Sequence, residues 1–338
     1  MTLHKYPRRV LVRCDGNELT GLGHLSRCIN LARSILANQS STQIAFWGRF
    51  DLFARKLLAH YGLPILQDIN IQVDDEYFGA AATLKVCAEF DVLLVDSYLI
   101  DQNYVDALKH QTTRLVLIDD EQRLDLSDAD LVICFRAGYE KFNYRAKHQL
   151  IGPSYLPVKP EFHALRKHNL TLSPTRLVER ILIYISGARL GDRYLPSILN
   201  ALDFPGITIT YLAAEAIPEL SNGRVRHITF TPDIESVYSD IDFVVCGGGL
   251  TKYECAFMGI ANACISLTTL QKQDTEMMAA QEFTLDLGYA KNFEASDFCQ
   301  EISNFIKNPN RLSAQRHAFA SKIGSDGTKQ IVQAIRSL

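Results

Sequence analysis

The sequence predicts an α/β protein made of two halves, each built on a parallel sheet. Three observations carry this. Short, uninterrupted apolar runs rich in Val, Ile and Leu recur along the chain, and runs of helical period lie between them; strands that read as continuously apolar belong to a parallel sheet covered on both faces. The alternation stops over residues 152–175, where Pro153, Pro157, Pro160 and Pro174 oppose a long regular element, and then restarts. The chain is 338 residues long, more than one ordinary core accommodates.

Taken in order, Arg9 to Cys14 reads as a strand that runs into a glycine-punctuated turn. A helix is expected from about Gly23 to Leu36, with Leu25, Cys28, Ile29, Ala32 and Leu36 on one face. Gln43 to Trp47 is a second strand and Asp51 to His60 a helix. Val92 to Val95 and Leu115 to Ile118 are strands separated by a helical stretch, Gln102 to His110, and Leu131 to Cys134 is a further strand. In the second half, strands are expected at Arg180 to Ile185, Ile207 to Leu212, Val225 to Phe230, Phe243 to Cys246 and Ala263 to Leu267, with helices between. The expected division is a first domain at 1–158, a linker at 159–178 and a second domain at 179–338. Two halves of similar size are expected to leave a cleft between them, a usual place for a ligand.

Composition narrows the class of ligand. A formal net charge of −3 gives no electrostatic footprint for nucleic acid, and no basic tract suits an anionic membrane. No apolar run approaches the roughly 20 residues that span a bilayer. Met1 to Arg9 is polar and basic, and Val10-Leu11-Val12 is too short for a signal-peptide core. Eight cysteines are scattered without a Cys-x-x-Cys pair, which suits buried, reduced thiols in a cytoplasmic protein better than a disulfide framework or a zinc site. The expected partner is a small molecule, and the oligomeric state is left open.

Chemistry concentrates in two segments. After the first strand the chain turns through Asp15, Gly16, Gly21 and Gly23 and enters a helix at His24, outside the carboxyl end of a parallel sheet, where such folds bind ligands. The glycines let backbone approach a ligand. A helix N-terminus disfavours the imidazolium, so His24 is expected neutral, as a general base must be. Asp15 can orient that histidine or hold a water or substrate hydroxyl. The plainer alternative is a packed histidine in an ordinary helix-opening turn. A dinucleotide site fits poorly, because Ser26 stands where Gly-x-Gly-x-x-Gly needs its third glycine, and Trp47-Gly48 ends the second strand without an acidic residue.

The second segment is a buried strand, Asp242 to Cys246, followed by Gly247-Gly248-Gly249-Leu250-Thr251 and a helix carrying Tyr253 and Glu254. Backbone N–H groups of a glycine turn at a helix N-terminus make an anion site. The Thr251 hydroxyl can cap the helix or bond a phosphate oxygen, and Glu254 can accept from two ribose hydroxyls. The alternative is structural: Thr251 to Glu254 also fits a capping box.

In combination these segments resemble the UDP-sugar hydrolases of pseudaminic acid biosynthesis, a family related to the glycosyltransferase that makes lipid II. The resemblance covers most of the chain. It runs through Arg13-Cys14-Asp15, Gly21 to Cys28, Leu94-Val95-Asp96-Ser97-Tyr98, Leu117-Ile118-Asp119-Asp120, Leu150 to Tyr155, Pro160-Glu161-Phe162, Gly247 to Glu254 and Gln271. It implies a GT-B architecture of two Rossmann-like domains facing a central cleft, and hydrolysis of a UDP-activated deoxyamino sugar at its anomeric carbon, in the making of a surface glycan. It implies His24 as the water-activating residue, with Gly21, Gly23, Arg27, Asp96 and Tyr98 on the sugar side. Gly248, Gly249, Leu250, Thr251 and Glu254 would hold the nucleotide, and Gln271 would close over it. No cofactor and no metal are implied. The chain departs from the family at Ser186-Gly187-Ala188-Arg189-Leu190-Gly191-Asp192, in place of a Gly-Gly-Ser-Asp-Pro loop, and at Leu270, in place of an asparagine. Two other functions stay open: an inverting glycosyltransferase with the same donor, and a nucleotide-sugar binding protein without turnover.

Overall fold

The computed structural model describes residues 8–66, 78–108, 113–185, 193–202, 204–217 and 224–338. The chain forms two compact units, Met1–Val158 with Asp326–Leu338, and Lys159–Ser325.

The first unit is built on a six-stranded parallel sheet of β1 (Arg9–Cys14), β2 (Gln43–Trp47), β3 (Val92–Asp96), β4 (Arg114–Ile118), β5 (Leu131–Cys134) and β6 (His148–Ile151), in the order β2-β1-β3-β4-β5-β6. Helices α1 (Gly23–Asn38), α2 (Leu52–His60), α3 (Ala80–Cys87) and α4 (Gln102–Leu108) connect these strands. Asp51 starts α2, its carboxylate accepting from the Ala54 amide at 2.8 Å. Along α1, Leu25, Cys28, Ile29, Ala32 and Ile35 are buried, whereas Leu36, expected on that face, is only partly so. The same helix buries His24, Arg27 and Asn30, polar residues that need partners inside.

The second unit repeats the plan. Its sheet contains β7 (Arg180–Tyr184), β8 (Thr208–Leu212), β9 (Val225–Ile228), β10 (Phe243–Gly247), β11 (Ala261–Ser266) and β12 (Leu285–Tyr289), in the order β12-β11-β10-β7-β8-β9. Its helices are α5 (Phe162–Asn169), α6 (Leu195–Ala201), α7 (Ile234–Tyr238), α8 (Thr251–Met258), α9 (Thr269–Ala280), α10 (Ala295–Ile306) and α11 (Pro309–Lys322). The core of this unit gathers Ile181, Ile183, Phe243, Val245, Ala263 and Ile302 around the sheet.

Two features depart from the expected division. Residues 159–178 are not a bare linker: α5 packs in the second unit, with Phe162 1% exposed and the Arg166 guanidinium donating to the carbonyls of Phe257 (2.6 Å) and Ile323 (2.5 Å). Pro153, Pro157, Pro160 and Pro174 bracket this eight-residue helix instead of interrupting it, so proline spacing permitted what proline content argued against. The last helix, α12 (Gly327–Ser337), belongs to the first unit, not to the second domain. A Cβ at Gly327 would lie 1.5 Å from the Ser154 carbonyl oxygen, and the Thr328 hydroxyl bridges Val158 N and Leu156 O at 3.1 and 3.3 Å. Strands β6 and β12 were not read from the sequence. Both are sheet edges with half-exposed patterns, so neither shows a continuous apolar run.

Candidate active site

An open parallel sheet opens a crevice where the strand order reverses, at the carboxyl ends of the two strands that flank the reversal. In the first unit those strands are β1 and β3, and in the second they are β7 and β10. Each unit places its glycine-rich turn there.

In the first unit the turn after β1 is pinned by its own polar groups. The Gly16 amide donates to Arg49 O and Gly16 O accepts from the Asp51 amide (2.9 and 3.0 Å), while Asn17 Oδ1 accepts from the amides of Leu19 and Thr20. Gly21 closes the loop at φ +71°, a left-handed conformation that favours glycine. Helix α1 then begins at Gly23, beside which a Cβ would meet nothing within 4 Å.

His24 is 4% exposed, and its Nδ1 lies 2.6 Å from Oδ1 of Asp96, the last residue of β3. Cys14 and Asp96 are register partners on β1 and β3, so the histidine after one strand meets the carboxylate ending the other. Arg27, one turn along α1, grips the same carboxylate with Nε and Nη2, each at 2.5 Å, and reaches Asp120 Oδ2 with Nη1 at 2.9 Å. The Tyr98 hydroxyl donates to that Asp120 oxygen at 3.0 Å, and the Tyr98 ring meets the His24 ring edge-on at 4.2 Å. Arg27 Nη2 is 3.0 Å from His24 Nδ1, but both nitrogens converge as donors on Asp96 Oδ1. The ring hydrogen therefore sits on Nδ1, and Nε2 carries the free lone pair.

Electrostatics fit this arrangement. Burial alone would push the Asp96 carboxyl up, but the Arg27 guanidinium and His24, each also hydrogen-bonded to it, hold it well below the usual carboxylate range. Arg27 is desolvated yet held protonated by Asp96 and Asp120. The nearest influence on the ring is thus Asp96, not the helix N-terminus on which sequence reasoning relied.

Asp15 does not touch His24. Its carboxylate, 1% exposed, accepts from Ser97 Oγ (2.9 Å) and the Arg49 amide (3.0 Å) and pairs with Arg13 at 2.9 Å. Asp96 and Arg27, expected on the sugar side, are 0% and 4% exposed and consumed by each other and by His24. Tyr98, at 45% exposure, does present a surface beside the histidine.

In the second unit, Gly247 ends β10 with no room for a side chain, since a Cβ would lie 1.9 Å from the carbonyl oxygen of Ile185, just after β7. A Cβ on Gly248 would meet the Gln271 side chain at 2.6 Å, so the structure brings Gln271 against the turn. Gln271 Oε1 accepts from the Leu267 amide at 2.8 Å, and the Thr268 hydroxyl caps α9 by accepting from the Gln271 amide. Gly249 is exposed, with nothing within 4 Å of a Cβ. Leu250, at φ −63° and ψ −32°, is the residue before α8, and no side chain caps the helix. Thr251 is therefore already the first helical residue, too late to form the capping box, and its hydroxyl is not spent on a cap. Glu254 is partly buried, and burial pushes its carboxyl up to about 7 against the opposing pull of Lys159.

Sequence reasoning missed Lys252. It is 0% exposed, donates to the carbonyls of Gly248 and Gly249, and pairs with Asp274 at 2.8 Å. A lysine on an apolar helix face was the available signal. The loop Ser186–Asp192, including Arg189, lies outside the described residues. Among the described residues no cluster of three or more His, Cys, Asp or Glu side chains is placed to hold a metal ion. Two Asp-x-Asp pairs, Asp128/Asp130 and Asp240/Asp242, fall at the opposite, amino ends of β5 and β10, where Asp130 holds Lys147 (2.7 Å) and Asp242 accepts from the Arg180 amide (3.0 Å).

No protein-family model matches the chain. It is 21% identical over 283 residues to the uncharacterized protein MJ1062 of Methanocaldococcus jannaschii, covering 78% of this chain and 57% of that protein, so the chain spans little more than half the length of this relative. Among solved structures it is similar to Acinetobacter baumannii MurG, with a TM-score of 0.68 and 16% identity over 98% of this chain and 100% of the other. Similar too are the spinosyn forosaminyltransferase SpnP (TM-score 0.64, 13% identity, 96% and 99% covered) and a putative UDP-N-acetylglucosamine 2-epimerase from Listeria monocytogenes (0.63, 14%, 98% and 96%). The chain has the GT-B fold.

Proposed function

We propose that this protein is a nucleotide-sugar hydrolase, breaking the bond between the anomeric carbon and the diphosphate of a UDP-activated deoxyamino sugar. The observation that carries the reading is the His24–Asp96 pair, a buried histidine whose Nδ1 is held at 2.6 Å by a carboxylate at the strand-order reversal of the first sheet. Water is the acceptor: its oxygen bonds the anomeric carbon, its proton goes to His24 Nε2, and the electron pair of the breaking bond leaves with UDP. Asp96 stabilises the imidazolium that results, as a carboxylate does in hydrolytic triads. Gly248, Gly249, Leu250 and Thr251 receive the leaving diphosphate at the N-terminus of α8, whose dipole favours negative charge. Glu254 receives the ribose hydroxyls, and Gln271, already against Gly248, flanks the nucleotide.

A second reading replaces water by an acceptor hydroxyl. It is favoured by the half-exposed Tyr98 against the His24 ring, followed in the chain by the exposed Leu99, apolar surface that water does not need, and by solved neighbours that include a forosaminyltransferase. One experiment decides. The protein is incubated with a panel of UDP- and CMP-sugars and free nucleotide is read by chromatography. Release in buffer alone supports hydrolysis, release only with an added acceptor supports transfer, and tight binding without release across the panel defeats both.

A further inference from the structure

Beneath the glycine turn of the second unit lies a buried ion pair that the proposed chemistry does not itself use. Lys252, the second residue of α8, turns its side chain back under the turn and donates to the carbonyl oxygens of Gly248 and Gly249, the latter at 3.4 Å. Its ammonium is fully buried and faces Asp274 Oδ2 at 2.8 Å, while the Tyr253 hydroxyl donates to Asp274 Oδ1 at 2.6 Å. Burial opposes the charge on Lys252, but Asp274, together with the nearby Cys264 and Cys246, holds the amine above its ordinary range and protonated. Asp274 stands one turn along α9 from Gln271, so this one helix supplies both the side chain that closes on Gly248 and the carboxylate that anchors Lys252.

The consequence is geometric. Among the described residues no peptide bond is cis, and in a planar trans peptide the C=O and the following N–H point in opposite directions. Carbonyls of Gly248 and Gly249 drawn inward to a buried ammonium therefore turn the amides of Gly249 and Leu250 outward, on the side where Gly249 is exposed. Glycines without such an anchor sample many conformations, and ordering them costs entropy on binding.

We infer that Lys252, held by Asp274, is a positioning residue that presets the Gly248–Leu250 turn as a phosphate cradle without touching the ligand. The inference rests on the nucleotide-sugar reading for the identity of the anion, though not for the state of the turn.

The test compares the full-length protein with Lys252→Met, Lys252→Arg and the double variant Lys252→Met/Asp274→Asn, which removes both buried charges while keeping volume. Two quantities are read: calorimetric affinity for UDP and for uridine, and amide hydrogen exchange of the peptide spanning 247–252. Loss of one charge-assisted anchor is expected to weaken UDP by about 10- to 100-fold, from the usual worth of hydrogen bonds to charged groups. Uridine, which lacks the phosphates, should lose less than about 3-fold, exchange at 247–252 should quicken, and Lys252→Arg should recover part of both. The double variant should match Lys252→Met in UDP affinity, which separates positioning from the penalty of an orphaned Asp274. Equal losses for UDP and uridine, or unchanged exchange in the turn, would overturn the inference. If the wild-type chain binds no UDP, the nucleotide-sugar reading fails, and quickened exchange confined to 247–252 still upholds the role of Lys252.

Discussion

Nδ1 of His24 and Oδ1 of Asp96 lie 2.6 Å apart although 72 residues separate them in the chain. The contact fixes the tautomer of the ring, leaves the lone pair on Nε2, and engages Asp96 with the protein's own His24 and Arg27. A donor on the wrong nitrogen would leave Nε2 unable to act as a base.

Asp96→Asn and His24→Ala should therefore fail in the same way. Each is expected to lower nucleotide release by about 10²–10⁴-fold, and the double variant to fall no further, because residues that act as a unit are not additive. Steady-state rates of the three proteins on one substrate settle this. A double variant slower by the product of the single losses would mean that the two residues act separately.

Arg27 has a different signature. It compensates Asp96 and Asp120 together inside the first unit, so Arg27→Met strands two buried carboxylates and should cost about 3–5 kcal/mol in denaturant unfolding. Lysine cannot reproduce a fork that bonds one carboxylate twice and another once, so Arg27→Lys should recover less than half of the loss. A wild-type unfolding midpoint in Arg27→Met would remove Arg27 from the account of the site.

The three consecutive glycines of the second turn should rank by space. Gly247→Ala places a methyl group against the Ile185 carbonyl and should not yield folded protein, whereas Gly248→Ala displaces Gln271 at a cost of about 1–3 kcal/mol. Gly249→Ala meets nothing within 4 Å and should change stability by less than about 0.5 kcal/mol. Thermal melts of the series, with circular dichroism to verify folding, report the order; a melt of Gly249→Ala below that of Gly248→Ala would contradict it.

Glu254 predicts a pH dependence. Burial holds its carboxyl at about 7, so the folded chain keeps a proton that the unfolded chain releases at lower pH. The stability this group contributes is full in acid, below the ordinary glutamate range, and is lost as pH rises through about 7. The melting temperature of the wild type relative to Glu254→Gln should accordingly fall between pH 5 and pH 8. UDP affinity should move the other way, because only the ionised carboxylate accepts from both ribose hydroxyls, and Glu254→Gln should be weaker and flat. Parallel profiles for the two proteins would rule Glu254 out of ribose binding.

Much of this was legible before any coordinates. Central strands announce themselves because a strand covered on both faces must be apolar at every position, as Val92 to Val95 and Phe243 to Cys246 are. The turns at Gly21-Leu22-Gly23-His24 and Gly247-Gly248-Gly249 stood out because glycine after a buried strand marks close backbone approach. Edge strands such as His148–Ile151 carried no such mark, and α5 was hidden by the prolines on either side of it.

The sequence by itself determined the two-sheet α/β plan and marked the two glycine turns and His24, because periodicity and glycine placement are local properties of the chain. Only the tertiary structure decided which carboxylate serves His24, giving that task to Asp96 and leaving Asp15 to Arg13 and Ser97. It alone put Lys252 under the glycine turn and docked α12 on the first unit. Each of these depends on strand order and register, which bring distant residues to one end of a sheet and leave no periodic trace in the sequence.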